Sequence, residues 1–80
     1  RGLVMRNVNH VSVENLPAVG ERLRAKIRYS APLVPCLALP DEGEVRLQFA
    51  RPQRAVAPGQ AAVCYDGDAV ALGGVIESAL

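Results

Sequence analysis

Four groups of residues in this chain are of types that could do chemistry. The first is the sole histidine, His10, together with Cys36 and Cys64. A cysteine nucleophile needs a base within hydrogen-bond reach and a third group to orient that base. Nothing in the sequence puts His10 beside either thiol, and a structural or partly exposed strand histidine is expected. One histidine and two distant cysteines also fall short of a closed zinc site, which takes four ligands in spaced pairs. Both cysteines sit in apolar, strand-like contexts at a separation that matches no zinc or redox motif. Sequence alone allows a disulfide, but nothing points to secretion, so free thiols in a core are expected.

The second group is Asp66 and Asp68 around Gly67, which has the look of the start of a calcium loop. The third oxygen position and the distal glutamate are missing, and Asp-Gly is ordinary hairpin chemistry. The third group is the glycine-rich punctuation. Gly73-Gly74 lacks the lysine and helix start of a phosphate loop. Pro58-Gly59 predicts a type II turn, with proline presetting the first central φ and glycine supplying the positive second one. No catalytic residue and no metal ligand set is assigned.

The fourth group is basic. "RLRAKIRY" (22–29) alternates throughout, with Arg22, Arg24, Lys26 and Arg28 on one side and Leu23, Ala25, Ile27 and Tyr29 on the other. A period of two is a half-buried strand, and at a rise of about 3.4 Å per residue its cations make a stripe about 20 Å long. Such a stripe suits a phosphate backbone. A solvated outer face whose charges discourage edge pairing is the competing reading. Arg51 and Arg54, around Pro52, would extend the stripe if the fold brings them near it.

The elements that must position these residues are short. Prolines at 17, 32, 35, 40, 52 and 58 divide the chain into segments too short for ordinary helices. Strands are predicted at 7–13, 22–29, 34–40, 44–49, 61–65 and 69–77. Asp41-Glu42-Gly43 and Asp66-Gly67-Asp68 serve as hairpin turns, and Gly73-Gly74 marks a sharp bend or bulge. Segment 34–40 is apolar on both faces, so its inward side cannot be read. Val45, Leu47 and Phe49 point inward. The fold class is all-β, a small antiparallel β-barrel of about six strands, since closure removes exposed edges.

Composition agrees with a small globular domain: 50% hydrophobic and 21% charged residues leave no compositional case for disorder. With one Phe and no Trp, the core must be mostly Val, Leu, Ile and Ala. A net charge of +1 does not by itself imply nucleic acid. No apolar run reaches the roughly 18–20 residues of a membrane-spanning helix, and no membrane partner is expected. Because the chain opens Arg1-Gly2-Leu3-Val4 rather than with Met, it is read as a piece cut from a longer protein, with a processed mature chain as the alternative. Residues 1–80 form one domain, with 1–7 as linker or strand entry and 8–77 as the barrel.

"AKIRY" (25–29), "LVPCLAL" (33–39) and "PQRAVAPGQAAVCYDGDAVALGGVIE" (52–77) together resemble the C-terminal domain of the tRNA-specific 2-thiouridylases. The most specific part is an Ala-Val-x-Pro-Gly-Gln turn (55–60), an apolar strand ending in Tyr65, an acidic glycine turn and a glycine-rich last strand. Two positions depart from the family pattern: His10 stands where Trp is usual, and Gly73-Gly74-Val75 where three glycines are usual. The resemblance implies a barrel like the second domain of translation elongation factors. It implies a parent enzyme that 2-thiolates the wobble uridine of tRNA, using ATP and Mg²⁺, in the cytoplasm. Its implied partners are tRNA, the N-terminal ATP-loop and central domains of the same chain, and a sulfur-relay protein or cysteine desulfurase. The catalytic parts belong to the family's N-terminal domain, so no cofactor is expected on this one. The implied role is electrostatic docking of tRNA by Arg24, Lys26 and Arg28, then Arg22, Arg51 and Arg54. Two other readings compete: a structural or protein-interaction barrel of a translation-factor-like protein without RNA contact, and an enzyme using Cys64 and His10.

Overall fold

The computed structural model describes residues 2–13, 15–27, 32–53 and 56–80. Among these residues six strands form: β1 (Gly2–His10), β2 (Glu21–Lys26), β3 (Val34–Asp41), β4 (Glu44–Phe49), β5 (Ala61–Asp66) and β6 (Ala69–Ala79). They close into an antiparallel barrel in the order β1-β4-β3-β2-β5-β6, with β6 pairing back onto β1. Among the described residues there is no helix, and hence none long and apolar enough to cross a membrane.

The inward residues follow from the period of two. Leu23 and Ala25 on β2 and Val45, Leu47 and Phe49 on β4 are buried, as the alternation predicts. Cys36 and Ala38 settle the inward side of β3. Leu3, Met5, Ile27, Ala62, Cys64, Ala71, Leu72 and Ile76 complete the core. Tyr29, expected to share the inward row of 22–29, lies outside the described residues.

The first strand departs from expectation. It runs Gly2–His10 rather than 7–13, and residues 2–5, read as linker or strand entry, are all buried. Beyond His10 the chain leaves the sheet, and the amides of Val11, Ser12 and Val13 converge on the Ala71 carbonyl at 2.9, 3.1 and 3.4 Å. Valines in that segment serve a loop anchored to β6.

The turns have the expected chemistry. Glu42 and Gly43 both take positive φ (49° and 85°), as a type I′ hairpin requires. Gly67 takes φ 62° at the first central position between Asp66 and Ala69. At Pro58-Gly59 the Gln60 amide reaches the Ala57 carbonyl at 3.2 Å, and Gly59 has φ 91°, a type II turn. The bulge expected at Gly73-Gly74 lies instead on the partner strand, since both glycines pair in regular register with Val63 and Ala62 of β5. Opposite Gly74 the register slips on β1, between Arg6 and Asn9, where Asn7 takes φ 52°.

Candidate nucleic-acid interface

The two sides of β2 meet different surroundings. Leu23 and Ala25 face the core, while Arg22 and Arg24 are exposed and Lys26 is half-buried. The regular strand stops at Lys26, so the described stripe spans about 14 Å, two thirds of the expected length. Arg28 and Arg54 lie outside the described residues. Arg51 is exposed just past β4, which sits two strands from β2, and it does not line the groove described below.

Among the described residues no acidic side chain pairs with the stripe. Among the described residues the one ion pair joins Arg46 to Asp41 at 3.3 Å on the β3–β4 hairpin. Arg22, Arg24 and Lys26 pair with none of them. Unpaired guanidiniums keep all their donors for an incoming anion, and their planar fork suits phosphate.

Register decides what stands beside each cation. Arg24 sits between Pro35 of β3 and Tyr65 of β5; Arg22 faces Leu37, and Lys26 faces Val63. Leu37 in turn neighbours Gln48 of β4. Directly opposed residues of antiparallel strands have Cα atoms about 4.5–5.5 Å apart, so these side chains touch one shared surface. An open groove of about 500 Å³ runs along it, lined chiefly by Arg22, Arg24, Pro35, Leu37, Gln48 and Tyr65, with Asp66 contributing one carboxylate.

Tyr65, Pro35, Leu37 and Gln48 were not singled out from sequence. Tyr65 had a signal: with Ala62 and Cys64 inward, strand alternation turns Tyr65 outward. The pairing of β5 with β2, which puts it beside Arg24, has no local signature.

The remaining candidates are dispersed. His10 and Cys64 both pair with Leu72, from opposite sides of β6, yet His10 is exposed and Cys64 fully buried. His10 Nδ1 donates to the Val13 carbonyl at 2.9 Å. Cys36 and Cys64 are free, buried thiols. Their mutual hydrogen bond pushes Cys64 up, reinforced by burial and by repulsion from Cys36, and holds Cys36 down against the upward push of burial. Such a pair is no exposed, activated nucleophile. Among the described residues no three of His, Cys, Asp and Glu converge to hold a metal ion. The 80 residues also contain no Ser-Gly-Gly-x-Asp-Ser loop to cradle ATP.

Comparison with known proteins gives one consistent result. The family model of the aminomethyltransferase β-barrel domain matches residues 1–76. The chain is 49% identical over 80 residues to the tRNA-specific 2-thiouridylase MnmA of Symbiobacterium thermophilum, covering 99% of this chain and 20% of that protein. To the enzyme of the same name from Acetivibrio thermocellus it is 46% identical over 72 residues, 89% of this chain and 20% of that protein. To that of Synechococcus sp. (strain JA-3-3Ab) it is 47% identical over 76 residues, 91% of this chain and 20% of that protein. The chain thus spans about a fifth of the length of these curated relatives, in their C-terminal part.

Proposed function

The chain belongs to the aminomethyltransferase β-barrel domain family, and we propose that it acts as the tRNA-contacting C-terminal barrel of a tRNA-specific 2-thiouridylase. Its share of the reaction is binding. The outer face of β2 holds phosphates of the tRNA while another part of the enzyme, with ATP and Mg²⁺, activates the wobble uridine for sulfur delivery. A sulfur-relay protein or cysteine desulfurase supplies the sulfur, in the cytoplasm. The observation that carries this reading is the row Arg22, Arg24 and Lys26, free of acidic partners among the described residues.

Phosphate contacts release counterions, so affinity falls with salt in proportion to their number. Replacing Arg22, Arg24 and Lys26 by Ala in the enzyme should weaken tRNA binding. It should also flatten the plot of log affinity against log salt by roughly 2–3, about 0.9 per duplex phosphate. The strand itself should survive, because all three side chains leave the core untouched. Equal affinity and equal slope for wild-type and triple variant at moderate salt would take β2 out of the interface.

A further inference from the structure

The groove beside β2 has more than charge. On either side of the cations it presents Tyr65 of β5 and Pro35 and Leu37 of β3, of which Pro35 is exposed and the other two half-buried. A paired helix offers a protein its phosphates and sugars, and an aromatic wall adds nothing to holding those. Sites for unpaired nucleotides combine cations with aromatic faces on which a base stacks. We infer that this groove takes an unpaired nucleotide of RNA, its base against the Tyr65 ring and its phosphate on the Arg22 and Arg24 guanidiniums. The inference rests on the tRNA-docking reading above and names the element of the RNA that the surface selects.

Geometry supports that arrangement. Arg24 and Tyr65 are directly opposed on neighbouring strands, and side chains stand roughly perpendicular to a sheet, so ring and guanidinium lie side by side. About 500 Å³ lies within the range of about 300–1,000 Å³ typical of small-ligand sites. The Tyr65 hydroxyl makes no hydrogen bond among the described residues, leaving it for a base edge or a ribose hydroxyl. Asp66, next in sequence to Tyr65, repels a phosphate from that end. The phosphate is thereby placed at Arg22 and Arg24 and the base at the ring.

Binding to the enzyme is measured with a single-stranded oligouridylate and with a fully paired RNA duplex of equal length. Tyr65→Ala should weaken oligouridylate binding roughly 5- to 150-fold, from the usual worth of one stacked base, and Tyr65→Phe, which keeps the ring, by less than Tyr65→Ala. Duplex binding should change less than about twofold with either, which also reports that the variants fold. Arg22→Ala with Arg24→Ala should weaken both probes. If Tyr65→Ala affects both probes alike, or neither, while the arginine variant weakens both, the nucleotide site is overturned and the docking reading stands. If the arginine variant weakens neither probe, both fall.

Discussion

Gly74→Ala should destabilise the barrel by about 1.3 kcal/mol, whereas Gly73→Ala, one residue away, should lie within about 0.5 kcal/mol of wild-type. A methyl at Gly74 would sit 2.8 Å from the Arg6 carbonyl oxygen, 3.3 Å from Val8 Cγ2 and 3.4 Å from Val8 Cα. Ordinary van der Waals contact starts near 3.4 Å, so β1 and β6 must part by about 0.6 Å (3.4 against 2.8 Å). Two of the three obstacles are backbone, which cannot rotate away. Forcing a methyl into such a site costs about 1–3 kcal/mol, which outweighs the roughly 0.4–1 kcal/mol that Ala gains over Gly in the unfolded chain. At Gly73 the nearest atom is the Ala62 carbonyl oxygen at 3.3 Å, so a shift of about 0.1 Å is enough and the two effects nearly cancel. For a domain this small about 1.3 kcal/mol lowers the melting temperature by about 5–10 °C. Urea unfolding followed by circular dichroism measures both variants. A Gly74→Ala protein as stable as wild-type, or a Gly73→Ala protein less stable than Gly74→Ala, would refute the close approach of β1 and β6.

Three further outcomes are expected. Glu42→Gly should stabilise by about 1 kcal/mol in urea unfolding, since Glu42 holds a left-handed φ of 49° that costs a side-chain-bearing residue. The Glu44 carboxyl is pushed up, first by its hydrogen bond with Glu77, then by desolvation and by repulsion from Glu77 and Asp41, with Arg6 opposing. The folded protein therefore keeps a proton that the unfolded chain has lost, and stability falls as pH rises from the ordinary glutamate value through the raised one. Glu44→Gln should remove that slope, which denaturation midpoints from pH 4 to 8 will show. Neither Cys36 nor Cys64 should react with iodoacetamide until denaturant unfolds the barrel, and mass spectrometry showing rapid native labelling of Cys64 would contradict its burial.

Where one strand face was wet and the other dry, the sequence was readable: β2 and β4 alternate in residue type and in burial alike. Two strands hid their pattern for identifiable reasons. In β1 the residues 2–5 are buried on both sides, so no alternation exists to be seen. In β3 the outward Leu37 and Leu39 are partly covered by the turn at Pro17–Gly20, where a Cβ on Gly20 would meet both side chains at 2.9 Å. The positive-φ glycines at 43, 59 and 67 announced their turns, but Asn7 and Glu42 did so less visibly because side-chain-bearing residues seldom adopt that backbone. Of the candidate site, Arg22 and Arg24 were legible from their own strand. Tyr65 joins them through a pairing between strands far apart in sequence, which no short window of sequence contains.

The seam of this ring joins its earliest strand to its latest, with Leu3 opposite Ala79. While the chain is being synthesised, β1 must therefore wait for nearly every other residue of the domain before its second neighbour exists. Until β5 and β6 emerge, the β2–β3–β4 meander and β1 form an open ribbon with unpaired margins on β1 and β2. Such margins readily pair with other chains. Emergence of β6, Ala69–Ala79, is the step that closes the ribbon and removes those margins.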